Sequence, residues 1–104
     1  MRTKIILVIA VALIFFLIGC SKSAEVCTKK DTKLSMDFQE AKKIALNSDC
    51  IKEGALKETH SCNQNSGTWW IDLNAEKKGC SPACVINIES RKAEVNWRCI
   101  GALE

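Results

Sequence analysis

Seven cysteines and a single histidine hold most of the reactive chemistry available to this 104-residue chain. Thiolates can bind a metal, attack as nucleophiles, exchange electrons or close disulfides, and spacing helps to separate these uses. Cys80 and Cys84 form a C-x3-C with His60 and Cys62 upstream, so a soft four-ligand site can be drawn. A structural zinc site calls for two closely spaced pairs, and His60-Ser61-Cys62 is not a second one. The chain has no C-x2-C, so the thioredoxin-type redox motif is absent. His60 beside Cys62 has the makings of an activated thiol, but a cysteine committed to a disulfide supplies no nucleophile. Asp37 and Glu40 offer two carboxylates, and acids in a first helical turn ordinarily serve the helix dipole. There is no G-x-S-x-G, phosphate loop, H-E-x-x-H or dinucleotide loop. The expectation is a protein without catalytic residues, cofactor or metal.

The use of the thiols depends on the compartment, which the first twenty residues address. Arg2 and Lys4 precede Ile5–Ile18, a run with no polar side chain, and the run ends in Leu17-Ile18-Gly19-Cys20. A basic start, a short apolar stretch and a small residue at the cut describe an export signal. The run falls short of the roughly 20 residues of a spanning helix. The tetrad resembles the lipobox of prokaryotic lipoproteins, which implies cleavage before Cys20 and a thioether-linked diacylglyceryl group, commonly with palmitate, on that residue. An uncut anchor and plain secretion are the alternatives, and all three place the domain outside the cytoplasm. Residues 1–19 are therefore expected to be a signal peptide and 20–33 a lipidated cysteine with a polar tether. Residues 34–104 would then be the folded domain.

Cleavage there leaves 85 residues with 13 basic and 12 acidic side chains, a net charge of +1. That balance excludes the basic stripe of a nucleic-acid binder. A core of this size alone supplies about 3–5 kcal/mol. Six cysteines remain once Cys20 is assigned to lipid: Cys27, Cys50, Cys62, Cys80, Cys84 and Cys99. An even number in a short exported chain is a disulfide framework. Two bridges are expected among Cys50, Cys80, Cys84 and Cys99, with Cys27–Cys62 tying the tether to the first strand.

The elements that would position these residues can be read from periodicity. Ser35–Ser48 predicts a helix with Ser35 as N-cap and Phe38, Ala41, Ile44 and Ala45 as its apolar stripe. A further turn through Cys50–Glu53 stops at Gly54. Ala55–Cys62 predicts a weak strand, Asn63–Gly67 a turn, and Thr68–Leu73 the strongest strand. Cys84–Ile88 and Ala93–Ile100 predict a hairpin with Cys84, Ile86, Ile88, Ala93, Val95, Trp97 and Cys99 inward. The fold class is α+β: one helix on a three- to four-stranded antiparallel meander, stapled by disulfides.

This order is similar to the PepSY and cystatin-like families, through the helix Ser35–Ala45 and the strand Thr68–Leu73. Val85–Val95 resembles the PepSY hairpin, although Asn87–Lys92 lacks the Asp and Gly of that family's V-D-x-E-T-G-x-V pattern. Thr68–Leu73, Gly79–Val85 and Ala93–Cys99 also resemble a block in small cysteine-rich envelope proteins of archaea and bacteria. That likeness implies a fold and a compartment but no activity. The PepSY and cystatin resemblance implies a module that binds or inhibits an envelope protein.

Three tryptophans without a tyrosine sharpen that expectation. Trp69 and Trp70 are consecutive on a strand and must point to opposite faces of the sheet. Trp97 is expected in the core. Trp70 is either structural cover packed beside Arg98 or an exposed anchor, and the candidate binding face is Trp70, Asp72, Asn96 and Arg98. The partners expected are a membrane, through the lipid, and an envelope protein. The alternatives are a structural lipoprotein without a specific ligand, or a metal or redox protein using Cys62, Cys80 and Cys84.

Overall fold

The computed structural model describes residues 25–100, so the expected signal peptide, the expected lipidation site Cys20 and the start of the expected tether lie outside the described residues. The elements in chain order are β1 (Val26–Thr28), β2 (Ser35–Asp37), α1 (Phe38–Leu46), α2 (Cys50–Glu53), β3 (Ala55–Asn63), β4 (Thr68–Asn74), β5 (Ala83–Asn87) and β6 (Ala93–Asn96). The last four form an antiparallel meander in the order β3-β4-β5-β6, and β1 pairs with β2 as a separate hairpin. The α+β class is the one expected. Among the described residues no helix is long and apolar enough to cross a membrane.

Alternation on β4 sets the layers. Trp69, Ile71 and Leu73 are buried, while Trp70 and Asp72 between them face the other way and are half-buried. Cys84 and Ile86 continue the buried face on β5 beside Ile71 and Trp69. Ala41 and Ala45 of α1 are fully buried against it, with Phe38 and Ile44 partly so. Trp69 brings its one polar group into this core and satisfies it by donating Nε1–H to Met36 O at 2.9 Å.

Three disulfides hold the layers: Cys27–Cys62, Cys50–Cys84 and Cys80–Cys99. The first is the tether bridge expected, and the other two fall among the four cysteines expected to pair. Each typically contributes about 2–4 kcal/mol by restricting the unfolded chain.

Four expectations need correction. Ser35 does not cap the helix: it begins β2, and Asp37 is the N-cap, its Oδ1 accepting Glu40 N–H at 2.7 Å. The pairing of Cys27 with Met36 across β1 and β2 draws Ser35–Asp37 into extended backbone before the helix can start. For the same reason the supposed tether is already folded from Val26, and Cys27 is fully buried. On the C-terminal side β6 ends at Asn96, because Asn96 Oδ1 accepts Arg98 N–H at 3.0 Å and Arg98 turns left-handed at φ 47°. Trp97 and Cys99 therefore leave the inward alternation. Trp97 is half-buried with Lys77 Nζ 5.3 Å from its ring centre, and Cys99 is exposed and bonded to Cys80.

Replacing Cys50 and Cys84 together by alanine should lower unfolding free energy by about 2–5 kcal/mol. Asp37→Ala should cost about 1 kcal/mol through its cap. Urea melts of the oxidised protein would measure both. An unchanged midpoint in the double variant would mean that packing alone joins helix and sheet.

Candidate binding face

The face of the sheet away from α1 gathers the four residues singled out above. Trp70 and Asp72 reach it by the alternation of β4, and Asn96 stands at the end of β6. The left-handed turn at Arg98 swings the guanidinium back over β4. Arg98 Nη2 donates to Asp72 Oδ1 at 2.7 Å, and its Cζ lies 5.8 Å from the centre of the Trp70 ring. Arg98 also donates to the carbonyls of Ser81 and Pro82. Asn96 joins the group through the backbone of Arg98 rather than through its own amide contact with the ring.

Asp72 is the electrostatic centre of this group. Its Oδ2 accepts the Thr59 hydroxyl at 2.7 Å while Oδ1 accepts Arg98. The Thr59 hydroxyl, followed by the Arg98 guanidinium and the more distant Lys57, holds its carboxyl below the ordinary value near 3.8, against the opposing effect of partial burial. Thr59 reaches Asp72 because β3 is bulged. Leu56 pairs with Leu73 and His60 with Ile71, leaving Lys57, Glu58 and Thr59 opposite Asp72 alone. Two extra residues preserve the alternation on either side, so His60 and Cys62 keep to the helix-facing side.

His60 lies on β3 and is half-buried. It stacks on Phe38 with ring centres 3.7 Å apart, its Nε2 is 3.0 Å from Glu25 Oε2, and its Nδ1 is 2.6 Å from the Glu58 carbonyl. Cys62 beside it is bonded to Cys27 and is not a thiol. The metal or redox set of Cys62, Cys80 and Cys84 is likewise divided among three different bridges. Among the described residues no three side chains of metal-binding type converge. Glu40 accepts from Arg91 on the β5–β6 turn, and Asp37 caps α1, so these two carboxylates have separate structural roles.

A second feature of this face was read in the sequence only as a turn. An open groove of about 530 Å³ runs from Trp70 toward the β3–β4 turn, bordered by Val26, Lys30, Ser61, Gln64 and Asn65. Asn63 shapes the turn, its Oδ1 accepting N–H from Asn65 and Ser66, and Gly67 closes it at φ 67°. A Cβ at Gly67 would also strike the methylenes of Lys29. Lys29 is held by Glu89, which raises its ammonium above the usual 10.5. The sequence signal for the groove was the cluster of amides following a cysteine that had to pair with the tether.

Comparison with protein-family models, curated proteins and solved structures gave no match.

The lowered Asp72 value fixes the sign of a pH effect. A carboxyl whose folded value lies below its unfolded value stabilises the protein above about pH 4. That contribution fades as pH falls through the folded value. Asp72→Asn should thus be less stable than wild type at pH 7, by about 1 kcal/mol or less for a pair a third exposed. The gap should narrow as pH falls below about 4. Thermal melts across that range would show it, and a constant gap would remove Asp72 as its source.

Proposed function

We propose that the protein is a lipid-anchored extracytoplasmic module that binds, and by analogy inhibits, an envelope protein through Trp70, Asp72, Asn96 and Arg98. The supporting observation is the gathering of these four on one sheet face, with an indole and a guanidinium both accessible there. Tryptophan and arginine dominate interface hot spots because each offers broad contact area with a directional polar group. Three disulfides are consistent with an extracytoplasmic location. The anchor is inferred from Leu17-Ile18-Gly19-Cys20 and the PepSY- and cystatin-like character from the element order. The reading assigns no catalytic role to any residue.

One observation favours a structural lipoprotein instead. Thr59, Asp72, Arg98 and Trp70 satisfy one another, so the cluster also serves as cover for the sheet. A partner must therefore compete with, or add to, contacts that already exist.

Affinity capture from solubilised membranes separates the two readings. Wild type and the distant variant Lys52→Ala should retain the same envelope protein, while Trp70→Ala and Arg98→Gln should lose it. Identical partner lists for all four would leave the structural reading. Intact mass of the membrane-extracted protein should show a chain beginning at Cys20, heavier by a diacylglyceryl group and lighter by six hydrogens for three disulfides. An unmodified residue at that position would remove the anchor.

A further inference from the structure

We infer that the groove between Trp70 and the β3–β4 turn is a saccharide site, fitted to a short β-linked hexopyranose chain. It goes beyond the protein partner proposed above and shares only Trp70 with that site.

The lining matches sugar chemistry in two ways. A pyranose ring presents a face of C–H bonds and a rim of hydroxyls that both donate and accept. The Trp70 indole and Val26, 55% exposed on β1, supply apolar contacts on the groove's two borders. Ser61, Gln64 and Asn65 supply hydroxyl and amide groups able to donate and accept, which a hydroxyl rim requires. Among the described residues Lys30 is the one charged residue bordering the groove, and no carboxylate lines it. That charge balance suits a neutral polar ligand better than a cationic or strongly anionic one. The volume lies within the range of about 300–1,000 Å³ common to small-ligand sites. A β-1,4 linkage is equatorial at both carbons and keeps successive rings extended, with their C–H faces free to lie on an indole, whereas an axial α linkage bends the chain, which is why the β linkage is favoured.

The site is built before a ligand arrives. Trp70 donates Nε1–H to Thr68 Oγ1 at 2.8 Å, fixing the plane of the ring. Thr68 Oγ1 is itself 2.7 Å from Ser66 Oγ in the turn. The opposite border is joined to the sheet by the Cys27–Cys62 bridge and by Lys30 N–H donating to Gln64 O at 2.9 Å. A hairpin and a turn held in this way lose little freedom on binding. The same backbone bond occupies the strand edge at Gln64, which disfavours an added peptide strand there.

The test is a titration of the full chain, extracted with disulfides intact into a sugar-free zwitterionic detergent and labelled with nitrogen-15. Chitotriose and cellotriose should move the Trp70 indole N–H and the Gln64 and Asn65 side-chain amide signals, saturating at about millimolar concentration. Maltotriose, with α linkages, should bind more weakly. Trp70→Ala should abolish the shifts and Trp70→Phe should retain them. Gln64→Ala with Asn65→Ala, on the exposed turn, should weaken binding about tenfold and decides the matter if Trp70→Ala does not fold. Gln64→Ala with Asn65→Ala should still capture the same protein as wild type while losing sugar affinity, so failure of one reading is distinguishable from failure of the other. Absence of shifts, their persistence in Trp70→Ala, or equal binding of maltotriose would overturn the assignment.

Discussion

The Cys50–Cys84 bridge joins the helical layer covalently to the sheet. α1 is nine residues long, shorter than the ~12–15 residues at which an isolated helix becomes even marginal in water. Its fully buried side chains are two alanines, which bring the helix close to the sheet but remove little apolar surface from water. Cys50 opens α2, with Asn47–Asp49 between it and the end of that helix, and Cys84 sits in β5 beside Ile71. Both are fully buried, so the bridge replaces the large side chain that a bigger domain would place there. Met36, Ile71, Leu73 and Ile86 are the larger side chains fully buried in the same core. This dependence on covalent links is what a folded part of this size requires, and it ties the fold to an oxidising compartment.

Cys27–Cys62 extends the same logic to the N-terminal segment. Backbone pairing of three residues with three is too little to form a stable hairpin alone. Joined to β3, it becomes a border of the Trp70 groove and places Glu25 beside His60.

What could be read in the sequence follows from the range of the interactions. The β4 alternation, the helix stripe and the turn at Asn63 are local, set by side-chain period and Asx chemistry, and they stand where periodicity put them. The helix start was displaced by a contact with β1, which lies ten residues back and reads as polar linker. The end of β6 was displaced by Asn96, whose side chain competes with the ladder for the next backbone N–H. Asn87 does the same at the β5–β6 turn, accepting from Glu89 and Ser90, with Arg91 left-handed where Gly67 stands in the preceding turn. Trp70, Asp72, Asn96 and Arg98 could be grouped by facing alone. Thr59 could not be added to them, because a bulge leaves no trace in a strand already short of apolar residues.

Arg98 gives the sharpest indication that the face is more than surface. A left-handed conformation costs an L-residue about 1–2 kcal/mol, and glycine would adopt it freely. Arginine at this position gives up that economy and gains contacts only its side chain can make. It reaches the Asp72 carboxylate, two carbonyls on the β4–β5 loop and the Trp70 ring from a single guanidinium. The Cys80–Cys99 bridge next to it holds the backbone turn in place, so the strain cannot relax by unwinding the segment. Strained backbone, a covalent brace and a shared cation converge on one indole. Trp70 is thus contacted from the Arg98 side and held by the Thr68 hydroxyl within its own strand.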